Sequence, residues 1–508
     1  MKRLACILLI VTILFSGLFL DQSAHAQVSG NVTISSNTEW TVAQSPIIFN
    51  GAVTVSNNVT LTIDPGVTVD MGMYMLMVYG TLTARGNAAD QIVFNGDVNI
   101  TYYSAPIIFE QQNYPGTNTN PASIIQDATL NGVEVSTDPG TSIEVDSCTF
   151  NWISTYGGPI NIGEAASTTI SNNVINVNIQ SNPNSISVVS VNSASPTITN
   201  NQFEGSFGCT NSGISVIGGS PVITDNTFAA TYCNNSYGIK VNSGTPQINS
   251  NQFQGSGYLV GVDDLSNGAF TISSNVFSSC FSGVIAEIGA SLTIQGNQFL
   301  RGTDGIDIFP TATVTVNDNL VDGNSRYGIN GGGTITSNTI TNNQIGIHNP
   351  PLGVISNNNI VGNTQNSITA TTASIDAQSN WWGIADSATI NQTIYDSKDD
   401  YHLGTITFVP FLTQPSTSAP SIPNYTPTIT PVPATPIQTV PLPPPPPPPT
   451  TAAPTPDQYS QTFAYQVGSI INLNLIVTAT AIALALVWVI VILGYAVKSG
   501  ISKYRAKK

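Results

Sequence analysis

The side chains best suited to chemistry in this chain are four aspartates and two arginines lying within 26 residues of one another: Asp304, Asp307, Asp318 and Asp322 with Arg301 and Arg326. Calcium takes six to eight oxygens from flexible carboxylate and carbonyl sets, so these four aspartates are candidate calcium ligands. Asp304, Asp307 or Asp322 could equally take part in proton transfer, with Arg326 as the base. The plainer reading makes all of them solvated turn residues. Lys240 and Asp263 fall at the same place in neighbouring repeats, where an exposed ion pair contributes under ~1 kcal/mol. Met71, Met73, Met75 and Met77 alternate, which in a single strand puts them on one face. With no histidine near them, core packing explains them better than a copper site.

The elements that must position these residues are repeats. TITNNQF (197–203), VITDNTF (222–228), QINSNQF (247–253) and TISSNVF (271–277) are copies of one motif, [IV]-x-x-N-x-[FIV]. Its asparagine column is Asn173, Asn201, Asn226, Asn251, Asn275, Asn297, Asn319, Asn338 and Asn358, at steps of 19 to 28 residues. Degenerate copies extend it upstream through Ala128 and Cys148, and Asn380 extends it downstream. A second column pairs glycine with Ile or Val: Gly213-Ile214, Gly238-Ile239, Gly261-Val262, Gly283-Val284, Gly305-Ile306, Gly328-Ile329 and Gly346-Ile347. The residue after each pair is variable, so this strand alternates inward and outward, and Asp307 falls on the outward side.

A period near 23 residues, with short strands and no helical pattern, excludes leucine-rich repeats and propellers and predicts an all-β parallel β-helix of about 12 or more coils. Columns would stack roughly 4.8 Å apart, with Phe203, Phe228, Phe253, Phe277 and Phe299 as an interior aromatic pile and the asparagines as a structural amide ladder. Like charges stacked at that spacing repel, which accounts for a charged content of only 8%. Cys209 and Cys233 lie one coil apart and could pair as a disulfide, and Cys148 takes an asparagine's place as a buried free thiol. The net charge of −16 and the lack of a basic surface exclude a nucleic-acid partner.

Both ends of the chain carry membrane signals. Residues 1–26 read as a signal peptide: Lys2-Arg3, an apolar run, then Ala24-His25-Ala26. Residues 27–110 read as an N-terminal cap and first coils, and 111–414 as β-helix repeats with a C-terminal cap. A Pro/Thr-rich stalk covers 415–456, a juxtamembrane segment 457–474, and a transmembrane helix 475–497, followed by a basic tail at 498–508. Residues 27–497 hold five cations, Arg85, Lys240, Arg301, Arg326 and Lys398, against 27 acids. This is the pattern of a single-pass protein with its body outside the cell membrane and its C-terminus in the cytoplasm. Six N-glycosylation triplets start at Asn31, Asn58, Asn99, Asn234, Asn391 and Asn424.

The repeats resemble those of the carbohydrate-binding and sugar-hydrolase superfamily of right-handed parallel β-helices, which includes pectate lyases and NosD-like periplasmic copper-insertion proteins. Leu61-Thr-Ile-Asp-Pro-Gly-Val67, Gly80-Thr-Leu82 and the closing Asn380-Trp-Trp-Gly383 look like the start and finish of prokaryotic surface proteins in that group. The resemblance implies right-handedness and a glycan or envelope-polymer ligand. Gly261-Val-Asp-Asp264 resembles the polygalacturonase Gly-Asp-Asp element, but the companion Gly-His-Gly and Arg-Ile-Lys elements are absent. The expectation is therefore a cell-surface binding or structural protein without a cofactor, calcium aside. A polysaccharide lyase or hydrolase is the alternative, and a NosD-like metal-handling protein the second alternative.

Overall fold

Alternating Val, Ile and Thr favour extended backbone, and a turn at each end of a short run closes one coil and begins the next. The structure, a computed structural model, describes residues 26–423 apart from 98–104, 111–121, 154–156, 165–166, 179–185, 208–210, 230, 233–235, 256–257 and 351–352. The chain winds into a right-handed parallel β-solenoid of about 14 turns. Three parallel sheets form its walls. Sheet A runs from Ala26–Val28 to Asn359–Val361, sheet B from Val32–Ile34 to Ile394–Tyr395, and sheet C from Thr38–Trp40 to Ile355–Ser356.

The repeated motif spans the end of a sheet C strand, a tight turn and the next sheet A strand. Ile198, Ile223, Ile248 and Ile272 stack in register on sheet C, and Phe203 through Phe299 do so on sheet A. The five phenylalanine rings lie 4.6–4.8 Å apart and within 9° of parallel. Their packing explains the glycine column. A Cβ on Gly261 would stand 2.4 Å from the Phe277 ring, and one on Gly283 2.4 Å from Phe299. Glycine is the one residue that lets sheet B approach the aromatic pile.

Each ladder asparagine bonds both ways along the axis. The Asn226 side-chain amide donates to Asn251 Oδ1 at 3.0 Å and to the Ile198 carbonyl at 2.9 Å, and the Asn226 backbone N–H also donates to Asn251 Oδ1. The series continues to Asn380. Cys148 fills the same slot: its thiol donates to the Ile125 and Asp146 carbonyls, and its backbone N–H to Asn173 Oδ1. The residue just before each asparagine, such as Asn200, Asp225, Ser250 or Ser274, has φ between 54° and 66°. Asn, Asp, Ser and Gly fill that position because its left-handed turn disfavours bulky side chains.

The methionine expectation fails, because the four residues do not share a strand. Met71 lies in strand Thr68–Gly72 and is buried, Met73 and Met75 occupy the exposed turn that follows, and Met77 lies in strand Leu76–Val78. Trp381 and Trp382 close the last coils, with helix Ser387–Gln392 beyond them. The chain then turns back across the coils. The Leu412 N–H donates to the Asn380 carbonyl, Ser416 exchanges hydrogen bonds with the Asn359 amide, Ser418 meets Ser337, and Thr339 bonds the Pro420 carbonyl. Thus the start of the expected stalk lies against the body. Signal residues 1–25, the rest of the stalk, the juxtamembrane and transmembrane segments, the basic tail and the Cys209–Cys233 pair lie outside the described residues. No helix among the described residues is long and apolar enough to cross a membrane.

Candidate functional site on the outer wall of sheet B

Inward positions of sheet B repeat from coil to coil, whereas the outward position varies from Ser215 onward. In register it reads Ser190, Ser215, Lys240, Asp263, Ile285, Asp307, Asn330, His348 and Thr369. This single column brings together Lys240, Asp263, Asp307 and His348, and both of its aspartates are buried.

Asp263, in strand Leu259–Asp264, is 4% exposed. The expected ion pair with Lys240 exists at 3.9 Å, but it is sheltered rather than solvent-exposed, and Lys240 also lies 4.4 Å above the Tyr237 ring. Asp263 Oδ1 is buried and has no hydrogen-bond partner. Burial pushes the Asp263 carboxyl up to about 7; Lys240 opposes this, and Glu287 and Asp264 reinforce it. Glu287, just beyond strand Ser282–Ala286, is raised mainly by burial as well. Asp264 faces the other way, into a column whose neighbours are Val241 and Ala286. It accepts the Ser266 N–H at 2.8 Å, and burial lifts it to about 6.

Three rungs on from Lys240, Asp307 lies on the expected outward side, yet it is only 3% exposed. It accepts a hydrogen bond from the Asn330 amide at 3.0 Å, and burial together with neighbouring Asp304 raises its pKa. Asp304 is buried against the Arg326 guanidinium, which donates to both of its oxygens, through Nε at 2.9 Å and through Nη2. Arg326 lies 4.8 Å above the Tyr327 ring, and Tyr327 stacks on His348 at 4.2 Å. The Asp304 bond raises the Arg326 pKa further, so a base role there has no guanidinium ready to lose a proton.

The structure therefore divides the acidic group named from sequence. Asp304, Asp307 and Arg326 share sheet B. Asp318 occupies the left-handed turn before Asn319 with φ 56°, Asp322 ends sheet A strand Leu320–Asp322, and Arg301 sits in another left-handed turn with φ 54°. Among the described residues no group of three or more His, Cys, Asp or Glu side chains is placed to hold a metal ion, so the four-aspartate calcium set is not assembled.

Sequence reasoning gave Asp263 a surface pairing and a place in the incomplete Gly261-Val-Asp-Asp264 element, and passed over Glu287 and the apolar residues at the ends of these strands. Tyr258 and Phe281, 52% and 37% exposed, precede strands Leu259–Asp264 and Ser282–Ala286; Leu265 and Ile288, 42% and 61% exposed, follow them. Buried carboxylates thus lie on a floor whose two ends carry exposed apolar side chains. The available signal was the breakdown of strict repetition at these coils. Elsewhere, a cavity of about 420 Å³ opens beside Trp152, Val177 and Gly205, without an ionisable group in its lining.

A family model described as a right handed beta helix region matches residues 242–381, a span that contains Asp263 through His348. No curated protein sequence matches the chain. Among solved structures, the chain is similar to an alginate lyase from Paenibacillus sp. str. FPU-7, at 10% identity and a TM-score of 0.25, covering 75% of this chain and 99% of that one.

Proposed function

We propose that the protein is a cell-surface glycan-binding β-helix whose outer sheet B wall, from Tyr237 to His348, holds a polysaccharide chain. The observation that carries this reading is that four of the five buried carboxylates among the described residues, Asp263, Asp264, Asp304 and Asp307, gather in its strands, with one Asp263 oxygen unpartnered. Such groups are costly to bury, and a ligand that donates hydrogen bonds offsets the cost. Exposed Tyr258 and Phe281 supply apolar faces of the kind that meet sugar rings. In this reading, residues 1–26 direct export, and the proline-rich segment and residues 475–497 tether the body outside the membrane with the basic tail inside. A glycan array probed with the body, residues 27–423, tests the proposal. Binding that disappears in Asp263→Ala and Tyr258→Ala supports it, and uniformly flat signals leave only a structural role.

One geometric fact favours a second reading, glycoside hydrolysis. Asp263 and Asp307 stand two rungs apart in one column, about 10 Å between Cα atoms at ~4.8 Å per rung. Inverting glycosidases keep their two carboxyl groups ~6.5–9.5 Å apart, and a carboxyl with a raised pKa suits the general acid. Release of reducing ends that ceases in Asp307→Asn would favour hydrolysis over simple binding.

A further inference from the structure

Taking the sheet B wall as a glycan site, we infer that its ligand is a polysaccharide carrying protonated amines, an amino-sugar polymer, and that polyuronates are excluded. The first argument is charge. From Tyr237 to His348 the strands of sheet B, with the single residue flanking each, carry five acids: Asp263, Glu287, Asp304 and Asp307, and Asp264 on the opposite side of its strand. Against them, among the described residues, stand Lys240 and Arg326. Both are already engaged, Lys240 with Asp263 and the Tyr237 ring, Arg326 with Asp304 and the Tyr327 ring. A uronate carboxylate arriving here meets like charge and has no uncommitted cation to clamp it.

The second argument is hydrogen-bond polarity. Asp263 Oδ1 is an acceptor enclosed without a donor. Carboxylates on a ligand accept, whereas hydroxyls and ammonium groups donate. An ammonium adds a positive charge beside Asp263 and Glu287, where burial, reinforced at Asp263 by Glu287, now disfavours ionisation. The third argument is shape. Tyr258 and Phe281 lie at the ends of successive rungs, so each ring can receive the apolar face of one sugar or the cation on it. Rungs ~4.8 Å apart step at close to the length of one pyranose unit.

The test is calorimetric titration of the detergent-solubilised full chain with glucosamine hexamer, N-acetylglucosamine hexamer, a guluronate hexamer and a lysine hexapeptide, at low and high salt. The glucosamine hexamer should bind tightest, lose about tenfold or more in affinity at high salt, and lose a similar factor in Asp263→Asn and Glu287→Gln. Glu144→Gln makes the same charge change on an exposed sheet C position and should leave binding unchanged. Thermal melts confirm that each variant is folded. Equal or tighter binding of the guluronate hexamer, an affinity indifferent to Asp263→Asn, or equal binding of the lysine peptide overturns the inference. Binding confined to the acetylated sugar also overturns it while leaving the glycan-binding proposal intact, whereas failure of every oligosaccharide removes both.

Discussion

The inside and the outside of sheet B follow opposite rules. Inside, Ile214, Ile239, Val262, Val284, Ile306, Ile329 and Ile347 occupy successive rungs with almost no variation, and each is fully buried. Outside, the same strands present Ser, Lys, Asp, Ile, Asp, Asn and His in turn. Stacking makes neighbours of equivalent residues, so an interior position must suit its own copy above and below, which selects repetition. An outer position escapes that demand, and two buried aspartates, Asp263 and Asp307, in such a varied column need another cause. On the function proposed above, that cause is recognition of a ligand on the sheltered outer face.

The largest effect should come from breaking the interior. Phe253→Ala removes the middle ring of the aromatic pile, whose neighbours on both sides lie within 4.8 Å, and should cost about 3–5 kcal/mol in urea unfolding. Next, Asn251→Ala takes the ladder partner from the Asn226 backbone N–H and the Ile223 carbonyl, and should cost about 2–3 kcal/mol.

The outer wall should behave differently. Asp263 has a folded pKa of about 7, above its ordinary 3.8, so the native state holds a proton that the unfolded chain releases. Its stabilisation is complete below about pH 4 and is lost as pH rises through about 7; Asp264 and Asp307, also raised, act in the same direction. Unfolding midpoints should therefore fall between pH 5 and pH 8, and Asp263→Asn should flatten that slope and gain about 1–2 kcal/mol at pH 8. A midpoint that rises with pH would contradict the burial of these carboxyls. The smallest effect belongs to an exposed outer position without partners in the wall: Gln298→Ala should change stability by less than about 0.5 kcal/mol.

How much of this was legible in the sequence follows from the same contrast. The asparagine ladder, the phenylalanine pile and the glycine column were readable because each repeats at the coil period, and periodicity is what a one-dimensional string preserves. Cys148 was readable as a ladder member because its neighbours kept the frame. The second ladder, Asn324 to Asn343 to Asn363 at the turn between sheets A and B, went unseen because it spans only three coils. The acidic group was half legible. Proximity in sequence gathered Asp304, Asp307, Asp318 and Asp322, yet three walls per coil send residues a dozen positions apart to different faces. Asp263 and Asp307, 44 residues apart, share a column instead. Burial of an outward position depends on what loops and neighbouring side chains cover it, and no pattern within the strand encodes that.

The returning segment at residues 412–423 has a mechanical consequence. Tension applied to the chain beyond it reaches the bonds at Pro420, Ser418 and Ser416 before the tryptophan plug or any coil. Separate hydrogen bonds of this kind should part before a packed coil does, so the solenoid should keep its register while the strip peels.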